Sequence, residues 1–285
     1  MSQSDQSEKQ FRIVHVTPAE REERNDQLAV EEPMEVRIVF GPAHHRTGRS
    51  LSITMRTPDH DFELAAGFLV TEGILQSPEQ IVGFEFCGEI AEGRTSPNIV
   101  RVELQETVEV KMQNLQRHFY TTSSCGICGK GSLEAIRCNG IAPVHSSLKI
   151  EYDTIYRLPE RLKMAQSIFQ HTGGIHAAGL FDRTGKLLIQ REDVGRHNAL
   201  DKLIGNQFLQ GNIPLTERIL VVSGRTSFEL VQKAAAAQFP VMVSVGAPSS
   251  LAVELAIEFG ITLIGFASQT RFNIYAHPSR LVDAR

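Results

Sequence analysis

Apolar and polar positions alternate through Met34-Glu35-Val36-Arg37-Ile38-Val39-Phe40 and again through Leu51-Ser52-Ile53-Thr54-Met55. A period of two puts alternate side chains on one face, so both segments are predicted strands, joined by a turn rich in Gly, Pro and His. The period then becomes helical. Phe62, Ala65, Ala66, Leu69 and Gly73 follow one face after Thr57-Pro58-Asp59, which suits a helix start. Strand-like runs return near residues 81–86 and 98–112.

Further along, Pro159 is predicted to open a helix running to about Gln170, closed by Gly173-Gly174. Residues 176–181 and 186–190 read as a hairpin around Asp182-Arg183-Thr184-Gly185, and a helix follows from about Asn198 to Leu209, with Gly211 as its stop. Three continuous apolar runs then alternate with helices: Ile219-Leu220-Val221-Val222, Val241-Met242-Val243 and Ile261-Thr262-Leu263-Ile264. Strands without polar positions in a strand–helix–strand order predict a parallel sheet covered on both faces. The expected organisation is a polar segment over 1–30, a strand-rich α+β domain over 31–115, a cysteine loop over 116–135 and an α/β domain over 136–285.

Composition narrows the function classes. With 41% hydrophobic and 22% charged residues the chain has the means to build a core, and disorder is not expected. A net charge of −4 supplies no general basic field, so neither nucleic acid nor an anionic membrane surface is an expected partner. Phosphate recognition would have to come from a local pocket. The first residues lack a secretory pattern and no run approaches the ~20 apolar residues of a membrane span, so a cytoplasmic protein is expected. Four cysteines (Cys87, Cys125, Cys128 and Cys138) in 285 residues do not make a disulfide framework.

Cys125-Gly126-Ile127-Cys128 lies among small and polar residues from Thr121 to Ser132, a composition suited to a surface loop rather than a core. Three chemistries fit the pair. A redox site would use it as a reversible disulfide, although the preceding Gln116–Thr121 stretch is a poor match to a strand leading into a helix. A structural zinc site would need a second close ligand pair, whereas only Cys138 and His145 are nearby. A persulfide carrier needs an exposed thiolate, and Lys130 and Arg137 add positive charge that favours one. The residues of the pair leave all three open.

The segments SSCGICGKGSLEAI, GGIHAAGLF, REDVGRHNALDKLIG, SGRTSFELVQKAA and GFASQTRFNIYAH, in this order, resemble the FdhD/NarQ family of formate dehydrogenase accessory sulfurtransferases. The resemblance extends from about residue 30 to the end. It implies a sulfurtransferase that accepts sulfur as a persulfide on Cys125, with Cys128 its companion, from a cysteine desulfurase. It implies that the acceptor is the molybdenum (or tungsten) cofactor in its bis(molybdopterin guanine dinucleotide) form, destined for apo formate dehydrogenase. A guanine nucleotide such as GDP would mimic that acceptor. The matching cofactor stretch is Phe266, Ala267, Ser268, Gln269, Thr270 and Arg271. A cytidine-deaminase-like fold with a mixed, partly parallel sheet and a homodimer are implied as well.

Other polar segments have two readings each. Ser223–Ser227 and Ser244–Ser249 each join a strand to a helix start, suited to phosphate oxygens or to plain N-capping. Asp193-Val194-Gly195-Arg196-His197-Asn198 offers His197 for ligand or proton, or Asp193 and Asn198 for capping and hydrogen bonding. His176 stands where deaminases carry the His of an H-x-E motif, but Ala178 replaces the Glu, so deamination is not expected. Cys87 and Cys138 read as packing residues.

Overall fold

The computed structural model describes residues 7–88, 97–110 and 141–283. Alternation in the first third does what period two predicts. β3 (Glu32–Phe40) buries Met34, Val36 and Ile38, and β6 (Ile99–Leu104) buries Val100, Val102 and Leu104. With β4 (Thr47–Arg56) and β5 (Ile81–Cys87) they form a four-stranded sheet ordered β4-β3-β6-β5, in which the central β3–β6 pair is parallel. Its apolar face is covered by α1 (Asp61–Thr71), whose end is marked by Gly73 at φ 73°. The run expected over 98–112 is shorter, closing at Leu104.

The C-terminal part is built on a six-stranded sheet. Its order is β13-β12-β11-β10-β8-β9, from β8 (His176–Phe181), β9 (Leu187–Asp193), β10 (Ile219–Val222), β11 (Val241–Ser244), β12 (Thr262–Gly265) and β13 (Asn273–Ala276). β10, β11 and β12 are parallel, as their unbroken apolar runs predict, and antiparallel strands flank them on both sides. One face carries Leu220, Val222, Met242 and Leu263. They pack with α4 (Arg196–Leu209), α5 (Phe228–Ala236) and α6 (Ser250–Phe259). The other carries Ile219, Val221, Val243 and Ile264 against α2 (Tyr152–Ala165). A short α3 (Ser167–Thr172) follows, and a small parallel pair of β7 (Ile150–Glu151) and β14 (Leu281–Val282) lies beside them.

Two expectations are corrected. Pro159 does not open its helix; it lies inside α2, which begins at Tyr152. Ile155, Leu158 and Leu162 are all buried along one stripe of that helix. Burying each contributes roughly 1.5–3 kcal/mol, which together outweighs the roughly 3 kcal/mol cost of an interior proline. The stretch read only as a polar segment contains an antiparallel hairpin, β1 (Glu8–Val16) with β2 (Arg21–Ala29). Its turn is tied by Thr17, whose amide donates to Glu20 O at 2.9 Å and whose hydroxyl accepts from Glu20 N at 3.1 Å.

α1 and α4 cross at two glycines. A Cβ on Gly205 would sit 1.8 Å from the Glu63 carbonyl oxygen, and one on Gly67 would sit 1.9 Å from that of Asp201. Polar side chains surround this contact, with Arg191 and Asn206 both gripping Glu63 and Lys233 paired with Asp201 at 2.9 Å. Deeper still, Lys202 and Asp193 form a fully buried pair at 2.7 Å. Lys202 also donates to Thr57 O, and Asp193 accepts from the amides of Thr57 and Gly195 and from Asn198. Asn198 completes the network by donating to Met55 O and accepting from Thr54. Of the roles read for Asp193 and Asn198, hydrogen bonding is what the structure displays, while the N-cap of α4 is Gly195 with no side-chain cap bond. Lys202→Met is expected to leave the Asp193 carboxylate buried without its counter-charge, at a cost of about 3–5 kcal/mol in a urea melt. Adding Asp193→Asn should recover a large part of the loss.

Candidate functional site

The parallel strands deliver their carboxyl ends to one edge of the sheet, where open α/β sheets bind ligands. β8 runs antiparallel to β10, so its first residue lies at that same end, and Asp193 at the end of β9 pairs with His176 there. Five segments thus converge: Gly173–His176, Asp193–Asn198, Ser223–Ser227, Ser244–Ser249 and Phe266–Arg271.

Their backbones are laced together. Val245 N donates to Val222 O at 3.1 Å, Gly246 N to Gly224 O at 3.2 Å, Phe266 N to Gly246 O at 3.1 Å and Ala267 N to Ser244 O at 3.0 Å. The buried Ser244 hydroxyl lies 2.9 Å from Gly224 O and 2.8 Å from Gly246 O. This closeness requires glycine at 246, where a Cβ would lie 2.9 Å from the Arg225 backbone. The two serines at the helix starts differ. Ser249 caps α6 by accepting from Ala252 N at 3.2 Å, whereas Ser227 makes no cap bond and its hydroxyl faces His197 Nε2 at 3.2 Å.

The loop after β12 is the most distinctive. Phe266 has φ 52°, a left-handed backbone rare for an aromatic residue, and its side chain is 42% exposed. Strain held by surrounding hydrogen bonds, with an apolar ring turned to solvent, is a pattern of ligand sites. Ala267 is buried packing, and Ser268 shapes the turn by accepting from Arg271 N at 3.2 Å and donating to Arg271 O at 3.0 Å. Gln269, Thr270 and Arg271 are left exposed. A cleft of about 490 Å³, lined by Asp153, Tyr156, Arg157, Glu160, Arg161 and Gln269, adjoins the loop on the α2 side. A second cleft of about 430 Å³, which includes Asn206, Gln210 and Arg218, opens at the opposite end of the strands and touches none of these segments.

On the β8 side the His176 ring packs against Gly224, where a Cβ would lie 3.1 Å from Nδ1. Burial lowers the His176 pKa, and Arg196 and His197 lower it further against the opposing pull of Asp193, which favours the neutral ring. His197 also stands 3.8 Å from Glu229, an ion-pair rather than a hydrogen-bond distance. Burial works against the Glu229 charge, yet His197 and Ser227 outweigh it and hold that carboxyl down at about 2. Glu229 is the member of this group that sequence reasoning missed. Its only signal was a position in the first turn of a helix, which acidic residues favour for other reasons.

The sheet end can therefore stack a planar ring on Phe266, hydrogen-bond its edge through Gln269 or Thr270, and grip an anion through Arg271. Cys125, Cys128 and Cys138 lie outside the described residues. Cys87 is a half-buried free thiol on β5 of the other sheet. Among the described residues no group of three His, Cys, Asp or Glu side chains could hold a metal ion, and no helix is long and apolar enough to cross a membrane. Ala178, in place of a deaminase Glu, is buried in the core.

Comparison with known proteins gives a consistent result. The FdhD/NarQ family model matches residues 31–282. A sulfur carrier protein FdhD from Streptomyces avermitilis is 44% identical over 273 residues, covering 95% of this chain and 94% of that protein. Its counterpart in Mycobacterium tuberculosis is 43% identical over 275 residues, covering 95% and 97%. The crystal structure of a formate dehydrogenase accessory protein from Desulfotalea psychrophila shares the fold with a TM-score of 0.72 at 24% identity, covering 97% of this chain and 100% of that one.

Proposed function

The chain belongs to the FdhD/NarQ family, and on that footing we propose that it is a sulfur carrier serving formate dehydrogenase, with Cys125 as its carrier thiol. In the loading step the Cys125 thiolate attacks the outer sulfur of a persulfide on a cysteine desulfurase. One S–S bond forms on Cys125 as the donor's S–S bond breaks, and the donor cysteine leaves as thiolate. Cys128 follows three positions later in the sequence as the companion thiol. The acceptor is the molybdenum bis(molybdopterin guanine dinucleotide) cofactor, held at the sheet end before it enters apo formate dehydrogenase. We place this work in the cytoplasm, in a homodimer, and, as the family resemblance implies, read the six-stranded part as cytidine-deaminase-like, a reading with which its mixed sheet is compatible.

One observation carries the acceptor half of this reading. Phe266 is held exposed in a left-handed conformation, in the same loop as the exposed Arg271, at the carboxyl end of a buried parallel strand. That is the equipment for a purine base and its phosphates. In isothermal titration calorimetry GDP is expected to bind more tightly than ADP. Arg271→Ala should weaken GDP by roughly 10-fold or more, the value of a charge-assisted hydrogen bond of about 1.5–3 kcal/mol. Equal affinity for the two nucleotides, or an unchanged Arg271→Ala, would remove the sheet end as the acceptor site.

A further inference from the structure

The β1–β2 hairpin joins neither of the two large sheets and precedes residue 31, where the match to the family begins. Each of its strands is nine residues long, and the hairpin is held to the body at its base. There the Ser7 hydroxyl donates to Pro58 O at 3.0 Å, Glu8 pairs with His171 at 3.1 Å, and β2 lies against α3. Phe11, Val14, Val16 and Leu28 are each more than 40% exposed. Period two and the ladder register put Phe11 and Leu28 on one face, Val14 and Val16 on the other. A two-stranded hairpin with apolar side chains in water on both faces is marginal alone, and further strands are what stabilise one.

The outer edge of β2 is open to such a strand. Among the described residues β2 pairs only with β1, and no β2 backbone group bonds to the backbone of another element. Gln27 N turns to the adjacent Asp26 carboxylate at 3.0 Å. Charges on an edge strand ordinarily keep other chains away. Those of β2 are arranged so that a copy of itself is accepted. In a two-fold antiparallel pair of identical strands, one residue must lie opposite its own copy. Centring the pair on Glu22, Glu23, Arg24 or Asp26 sets like charges together, which is destabilising. Centring it on Asn25, the midpoint of Arg21–Ala29, overlaps the whole strand and sets Arg24 opposite Asp26 at two places, with no like charges opposed. The midpoint of β1 is Arg12, so the same overlap of β1 would oppose two arginines.

We propose that the outer edge of β2 is an interface with a second copy of this chain, the two hairpins joining about Asn25 into one four-stranded sheet ordered β1-β2-β2-β1. The inference rests on the homodimer reading above and assigns that dimer a contact. The pairing supplies the strands that the lone hairpin lacks. Because the two-fold axis stands perpendicular to the joined sheet, the Phe11 and Leu28 side chains of both copies share one face.

Sedimentation velocity of the full-length protein over a concentration series reads the dimer dissociation constant. The wild type is expected to be dimeric, and Asp26→Arg, which sets arginine against Arg24 at two places, should weaken the dimer roughly 10-fold. Combining Arg24→Asp with Asp26→Arg restores opposite charges and should recover most of that loss, which a local effect on the hairpin would not do. Asn25→Cys tests the register. Opposed Cα atoms of an antiparallel pair lie about 4.5–5.5 Å apart, within the span of a disulfide, so mild oxidation should link two copies on a non-reducing gel. Arg21→Cys should not link, since its copy would lie about 27 Å away, eight residues at ~3.4 Å each. A wild-type monomer would overturn the homodimer reading together with this interface. A wild-type dimer that Asp26→Arg leaves equally tight, a double exchange that recovers nothing, or a folded Asn25→Cys that links no better than wild type would overturn the interface alone.

Discussion

Gly205→Ala is expected to destabilise the protein by about 3 kcal/mol or more, lowering Tm by roughly 6–10 °C. The added methyl would lie 1.8 Å from the Glu63 carbonyl, 2.7 Å from its carbon and 2.7 Å from the Gly67 amide nitrogen, all of them backbone atoms. No rotamer change relieves such a clash, so α1 and α4 would have to separate. Their contact is the most extensive between any two helices among the described residues, and it joins the face of one sheet to the face of the other. Separation would also stretch the bonds from Arg191 and Asn206 to Glu63. Gly48→Ala is a suitable control, since a Cβ there meets nothing within 4 Å. A differential scanning calorimetry melt that moved equally for both variants would show that the crossing tolerates a wider spacing.

That crossing was illegible in the sequence because helix propensity treats an interior glycine as a simple cost. Only the neighbouring helix reveals why Gly67 and Gly205 are there. By contrast β10, β11 and β12 were legible from their apolar runs, since strands buried on both faces carry few polar positions, here only Ser244 and Thr262. The loops that follow them were legible for the same reason, because the carboxyl ends of parallel strands must share one edge. What joins across the sheet end was not. His197 and Glu229 are separated by 32 positions and meet only because α4 and α5 start side by side. β2 was missed because Arg21–Leu28 is almost wholly polar; it is a strand through pairing with β1 rather than through its own periodicity.

Cys125→Ala is expected to abolish sulfur loading, the largest functional effect of any single substitution, because no other group on the carrier would replace the attacking thiolate at that position. Cys128→Ala should retain loading on Cys125. A dithiol redox site would instead depend equally on both cysteines, and a structural zinc site would lose metal and fold when either was removed. The two variants thus separate the three chemistries that the motif itself left open. The decisive measurement is the intact mass of the protein after incubation with a cysteine desulfurase and cysteine, followed by mapping of the modified residue. The account predicts a gain of about 32 Da, one sulfur atom, on Cys125 in the wild type and in Cys128→Ala, and none in Cys125→Ala. A wild-type mass that stays unchanged, or a sulfur adduct that persists in Cys125→Ala, would contradict it.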